Sequence, residues 1–188
     1  MAYFLVPLSL YTSTLYLARP YYPDIRILNS LINATFLSLL NLVPSTLSYT
    51  PIQLNDYITA YFTYDLVTGH FSEDKSFGLL TGYIHHSVYI LLLLYLRLTN
   101  ESYLIYYFLP FEIPTAILDL KKLSKAPYLS NIFGVSFALF RLAYNTYIIA
   151  LMPNAYYSGI TTLMLGLHIY WFSIWLQKIK RSSDNVGR

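Results

Sequence analysis

Apolar stretches long enough to approach a bilayer crossing follow one another along the whole chain, and no polar domain separates them. Seven are read: Ala2–Leu17, Ile27–Leu47, Leu54–Gly69, Leu79–Leu96, Tyr103–Leu120, Ile132–Met152 and Tyr156–Leu176. A crossing helix needs roughly 20 apolar residues, so the first and third are short. Only 11% of the 188 residues are charged, against about 25% in a soluble domain. Water is therefore not the main solvent for this chain. The expectation is an all-α membrane protein, one compact bundle of about seven transmembrane helices forming a single domain over 1–188. Connections of a few residues make consecutive spans antiparallel neighbours. Pro44, Pro110 and Pro114 are expected to kink spans or end them early.

The loop cations set an orientation. Arg19 and Arg26 precede the second stretch, and Lys75 precedes the fourth. Lys121, Lys122 and Lys125 follow the fifth, and Lys178, Lys180, Arg181 and Arg188 follow the seventh. With alternating spans all of these share one side, and Arg97 stands alone on the other. An exoplasmic N-terminus and a cytosolic C-terminus are predicted, with a polar tail over 181–188. No basic segment precedes Ala2–Leu17, and Thr12, Ser13 and Thr14 interrupt it, so a crossing is expected there rather than a signal peptide. Asn100-Glu101-Ser102 is a glycosylation sequon on the predicted exoplasmic side, very close to the bilayer. Gly78 and Gly82 form a small-xxx-small pair.

Ionisable and amide groups fall inside these stretches: Asn33, Asp65, His85, His86, Glu112, Arg141 and His168. A charged side chain at the bilayer centre costs about 2.5–3.5 kcal/mol on insertion scales, which makes such residues candidates for function. At about 1.5 Å rise per residue they fall in the cytosolic half, as if lining a cavity open to that side. Each also has a plain structural reading. Glu112 and Arg141 suit an ion pair that holds two helices in register. His168 suits a satisfied core histidine, and Asp65 a hydrogen bond to a neighbouring Tyr or His. Adjacent helical residues point about 100° apart, so His85 and His86 are expected to face different partners.

Several chemistries are excluded. The chain has no Cys, hence no disulfide, thiolate nucleophile or Cys-based metal site. His spacing does not match the i, i+4 pattern of helical metal sites, so no metal is expected. No Gly-rich phosphate loop and no basic stripe for nucleic acid occurs. Tyrosine counts 21, a residue favoured where an apolar ring must end in something wet.

Five segments, in order, resemble the TLC-domain family, multipass membrane proteins that include the ceramide synthases. "AYFTYDLVTG" looks like the family's Tyr-x-x-x-Asp helix, with Asp65 as the acid. "GYIHHSVYILLLLY" looks like its double-His helix, carrying His85 and His86. "LPFEIPTAILDL" is similar to a Glu-[small]-Ser/Thr stretch, with Glu112 and Thr115. "FALFRLAYN" resembles a Phe-x-x-x-Arg helix, with Phe137 and Arg141, and "GLHIYWF" resembles Leu-Asn-x-x-Trp-Phe, with His168 in place of Asn and with Trp171. The resemblance covers about 27–180.

Laid on the ceramide-synthase stretch that follows the double His, the chain has Phe111 for the leading His and Thr115 for the second Asp. Asn33 stands where many relatives show His. The resemblance is therefore closer to the branch that does not make ceramide. It implies residence in the endoplasmic reticulum and membrane lipids as partners. It implies catalytic roles for His85, His86, Asp65 and Glu112, with Asn33, Arg141, His168 and Trp171 binding substrate. No cofactor is expected to stay bound; acyl-CoA would be the co-substrate of an acyl transfer to an amine or alcohol. The alternative is non-enzymatic: a lipid sensor or regulator, or an escort for cargo, whose buried polar residues are structural.

Overall fold

A computed structural model describes residues 25–42, 50–71 and 78–186. Among the described residues the secondary structure is helical, without a strand. The candidate span Ala2–Leu17, and Arg19, Pro44, Lys75 and Arg188, lie outside them.

Helix α1 is Ile25–Leu42 and α2 is Pro51–Phe71. The start of α2 is set locally. Thr50 N donates to Gln53 Oε1 at 2.9 Å and Gln53 N donates to Thr50 Oγ1 at 3.3 Å, a reciprocal capping box. Pro51 occupies the first helical position, where its missing N–H costs nothing. A π-helical segment, Leu79–Ile84, leads into α3, His85–Leu98. Asn100 then takes a left-handed conformation with φ of 60°, and Glu101 N donates to Leu96 O at 2.9 Å. That closes the helix as a left-handed C-terminal motif does.

The expected span Tyr103–Leu120 is not one helix. Short 3-10 turns run over Ser102–Tyr107 and Leu109–Phe111, and α4 begins only at Glu112, ending at Ser124. Pro110 has no N–H to give and its ring crowds the preceding turn, whereas Pro114 falls within the first turn of α4 and is tolerated there. With 13 residues, α4 is about 20 Å long, short of a hydrocarbon core of about 30 Å.

Helix α5, Leu129–Ser136, continues through a π-helical segment, Phe137–Ala143, into α6, Tyr144–Leu151. Asn154 caps the final helix α7, Ala155–Val186, by accepting from Tyr157 N at 3.1 Å. Helix α7 carries on into the polar tail expected from Arg181 onward. Among the described residues, two helical stretches are long and apolar enough to cross a membrane, Leu129–Leu151 and Ala155–Arg181. Their outer faces are greasy: Leu163 is 76% and Leu139 56% exposed. A large apolar face of this kind is normal only against lipid or another protein.

The chain divides into two compact units, the first ending at Leu109 and the second beginning at Pro110. In the first unit, contacts between α1 and α2 run in opposite senses. Tyr57 meets Asn33, Tyr61 meets Ser30 and Asp65 meets Arg26. The same holds for α2 and α3: Asn55 meets Leu93, Phe62 meets Tyr89 and Asp65 meets His86. Both pairs are antiparallel, and α2 is the middle helix. Leu37, Leu54, Leu93 and Leu96 form the dry core.

The second unit repeats this path with other residues. Lys121 on α4 reaches Ser130 on α5. Phe137, Phe133 and Gly134 meet Phe172 and Trp175 on α7, while Asn145 on α6 meets His168. Here α5 through α6 is the middle element.

Candidate functional site

In the first unit the polar cluster is built on α2. Asp65 is 7% and His86 8% exposed, and Asp65 Oδ2 lies 3.3 Å from His86 Nδ1. The same carboxylate oxygen lies 3.6 Å from Arg26 Nη1. All three side chains stand toward one end of the unit, where α1 starts, α2 finishes and α3 starts. At the other end Arg97 Nε donates to Asp56 Oδ1 at 3.2 Å. Asp56 and Asp65 are nine residues apart on α2, about 13.5 Å along the axis.

The two histidines do diverge. His86 is directed at Asp65, while half-buried His85 packs on Tyr89, with ring centroids 4.6 Å apart. Phe62 lies between them, 5.2 Å from the His86 ring and 6.2 Å from the His85 ring. The π-helical segment that ends at Ile84 sits directly before this pair. Such segments are rare and often mark functional sites. Asn33, fully buried on α1, belongs to a neighbouring ladder: it accepts from Tyr57 Oη at 2.5 Å and donates to Asn29 O at 2.8 Å.

The second unit gathers Glu112, Arg141, His168 and Trp171. Arg141, 8% exposed, donates to the Phe111 carbonyl at 3.1 Å and to Thr115 Oγ1 at 2.8 Å. Arg141 and Glu112 form no direct ion pair among the described residues, contrary to the structural pairing that the sequence allows. The Arg141 guanidinium also lies over the Phe137 ring, 5.6 Å from its centre.

His168, 1% exposed, has Nδ1 3.1 Å from the Arg141 carbonyl and 3.1 Å from the Asn145 amide nitrogen. An Nδ1–H tautomer donates to that carbonyl; the other tautomer accepts from Asn145. Trp171 flanks the imidazole at 5.9 Å, as Phe111 does at 5.4 Å. His168 is thus a satisfied core histidine in an aromatic cage, as one sequence reading has it.

Three members were not singled out from the sequence. Arg26 reads there as a loop cation that sets orientation. Its signal is spacing: Arg26 and Asn33 are seven residues apart, hence on one face of α1, and that face meets α2. Asn145 and Asn55, both essentially inaccessible, carry no comparable signal. No group of three or more metal-binding side chains occurs among the described residues.

Asp65 Oδ2 lies within ion-pair distance of His86 Nδ1 without hydrogen-bond geometry, so the two helices bring an acid and an imidazole together by proximity and charge. Comparison with protein-family models, with curated proteins and with solved structures found no match.

Proposed function

We propose that this is a TLC-domain-like protein of the endoplasmic reticulum that binds or processes lipid acyl chains on the cytosolic side of a bundle of membrane-spanning helices. What supports the reading is the meeting of Asp65 and His86 at 3.3 Å inside an apolar unit. An acid and an imidazole from different helices stand at ion-pair distance with little exposure, which suits a base beside a carboxylate.

In the enzymatic form of this reading, His86 Nε2 takes the proton from an amine or alcohol acceptor as that atom attacks the thioester of acyl-CoA. The C–S bond breaks, and the proton passes from the imidazolium to the departing thiolate. Asp65 faces the ring at ion-pair distance. His85 and Phe62 flank the ring, and Asn33 is the further candidate for substrate contact in this unit.

A second, non-enzymatic reading is favoured by Arg26. A carboxylate already facing a guanidinium at 3.6 Å is a weaker partner for an imidazole, which suits a lipid-binding protein without turnover. The test is incubation of purified protein with a labelled long-chain acyl-CoA and candidate acceptors, followed by mass spectrometry of lipid and intact chain. Acylated product or adduct that disappears in His86→Ala supports transfer. Lipid bound equally with and without the histidine leaves the binding reading.

A further inference from the structure

We propose that Arg26 is the anion-recognising residue of this lipid site, and that a phosphate-bearing amphiphile draws it away from Asp65. The inference rests on the reading of the Asp65–His86 cluster as a lipid site and adds the charge of the ligand.

The observation is a shared atom. Arg26 Nη1 and His86 Nδ1 both face Asp65 Oδ2, at 3.6 and 3.3 Å. They come from helices on opposite sides of α2. One oxygen serves two positive or potentially positive partners, so strengthening either contact weakens the other.

Position gives the direction of exchange. The Arg26 side chain keeps 17% of its exposure, against 9% for Asp65. Asp65 stands six residues before Phe71, the last residue of α2, about 9 Å from that end. The residues after Phe71 in the sequence, Ser72-Glu73-Asp74-Lys75-Ser76, are polar. A long guanidinium side chain so placed reaches outward to headgroup level while its stem stays in the apolar layer. Arginine also matches the geometry of a phosphate, to which it gives paired hydrogen bonds.

An anionic headgroup above an acyl chain therefore competes with Asp65 for Arg26. When Arg26 moves to the phosphate, Asp65 loses a cationic partner and keeps its contact with His86. A neutral lipid of the same chain length fills the apolar part of the site and leaves Arg26 where it is. The phosphate has two sources, a phospholipid headgroup and the coenzyme A part of an acyl-CoA, and the ligand panel separates them.

The experiment measures binding of dioctanoyl phosphatidic acid, dioctanoylglycerol, octanoyl-CoA and coenzyme A to the full chain in detergent. Wild type is compared with Arg26→Gln, Arg26→Lys and Asp65→Asn, each first checked for an unchanged melting profile. Arg26→Gln is expected to weaken phosphatidic acid about tenfold or more and to leave dioctanoylglycerol unchanged. Arg26→Lys restores part of the loss. Asp65→Asn, which removes the competing charge, tightens the anionic ligand several-fold. Dependence on Arg26 for phosphatidic acid alone identifies the headgroup; dependence for octanoyl-CoA alone identifies the coenzyme.

Equal loss of neutral and anionic ligands in Arg26→Gln, or weaker anionic binding in Asp65→Asn, overturns the assignment of Arg26 while the lipid site stands. If no ligand binds the wild type, the lipid site itself falls, and the assignment falls with it. If Arg26→Gln and Arg26→Lys both fail the melting check, Asp65→Asn alone decides by the sign of its effect.

Discussion

His168 Nδ1 stands 3.1 Å from the backbone carbonyl of Arg141, while the Arg141 side chain turns the other way, to Thr115 and the Phe111 carbonyl. One residue in the π-helical segment of the middle element thus ties α4 through its guanidinium and α7 through its carbonyl. Replacing Arg141 by Met leaves the Phe111 carbonyl without its side-chain donor and Thr115 Oγ1 without its guanidinium partner. A loss of about 1–3 kcal/mol is expected for a buried partner left unsatisfied. Thr115→Val should cost less. A double-mutant cycle by reversible unfolding in detergent should give a coupling of about 1 kcal/mol for the pair; strict additivity would show that the 2.8 Å contact carries no energy.

Gly134 lies under the indole of Trp175 with no space for a Cβ, since an added methyl would meet the six-membered ring well inside van der Waals contact. Gly134→Val is expected to push the indole out of its stack with Phe172, whose ring centroid is 5.3 Å away. Overpacking of this kind costs about 1–3 kcal/mol. Tryptophan fluorescence and the melting temperature should both change. Gly159 has open space where a Cβ would stand, so Gly159→Ala should be neutral or stabilise α7 by up to about 1 kcal/mol.

Within each unit the antiparallel pairing of neighbours was legible in the chain because connections such as Met152-Pro153-Asn154 are too short for any other path. The inward direction of Asp65 and His86 was legible too, because titratable groups in apolar runs must find partners. Helix boundaries were less so. The true start of α2 was written in Thr50-Pro51-Ile52-Gln53, a capping box ahead of the apolar run beginning at Leu54. The interruption at Pro110 was expected, but not its length: two successive 3-10 turns precede α4. The π-helical segments at Leu79–Ile84 and Phe137–Ala143 have no sequence signature. They arise where the packing of neighbouring helices demands one more residue per turn, which no local propensity records.

His86 and His85 are adjacent but not equivalent, and the difference is measurable. His86 meets Asp65, whereas His85 meets Tyr89 and Phe62. If acyl transfer occurs, His86→Ala should lower it by about 10²–10⁴-fold, the range for loss of a positioned acid or base. Asp65→Asn should produce a smaller fall, and His85→Ala the smallest. A larger loss in His85→Ala than in His86→Ala would reverse the assignment of roles.

The charge asymmetry of the loops makes the topology testable without background, because the chain has no cysteine to remove. The turn between α6 and α7 holds Asn154, and the far part of α7 holds Lys178, Lys180 and Arg181. The stretch Ala155–Arg181, 27 residues long, is about 40 Å of helix, enough to separate these positions by a whole bilayer. Basic residues favour the cytosolic side. Asn154→Cys is therefore expected to react with a membrane-impermeant maleimide from the exoplasmic side of sealed vesicles, and Lys180→Cys only from the cytosolic side. If both cysteines label from one side, α7 does not cross. If the sides are exchanged, the basic end of α7 faces away from the cytosol and the predicted cytosolic C-terminus falls.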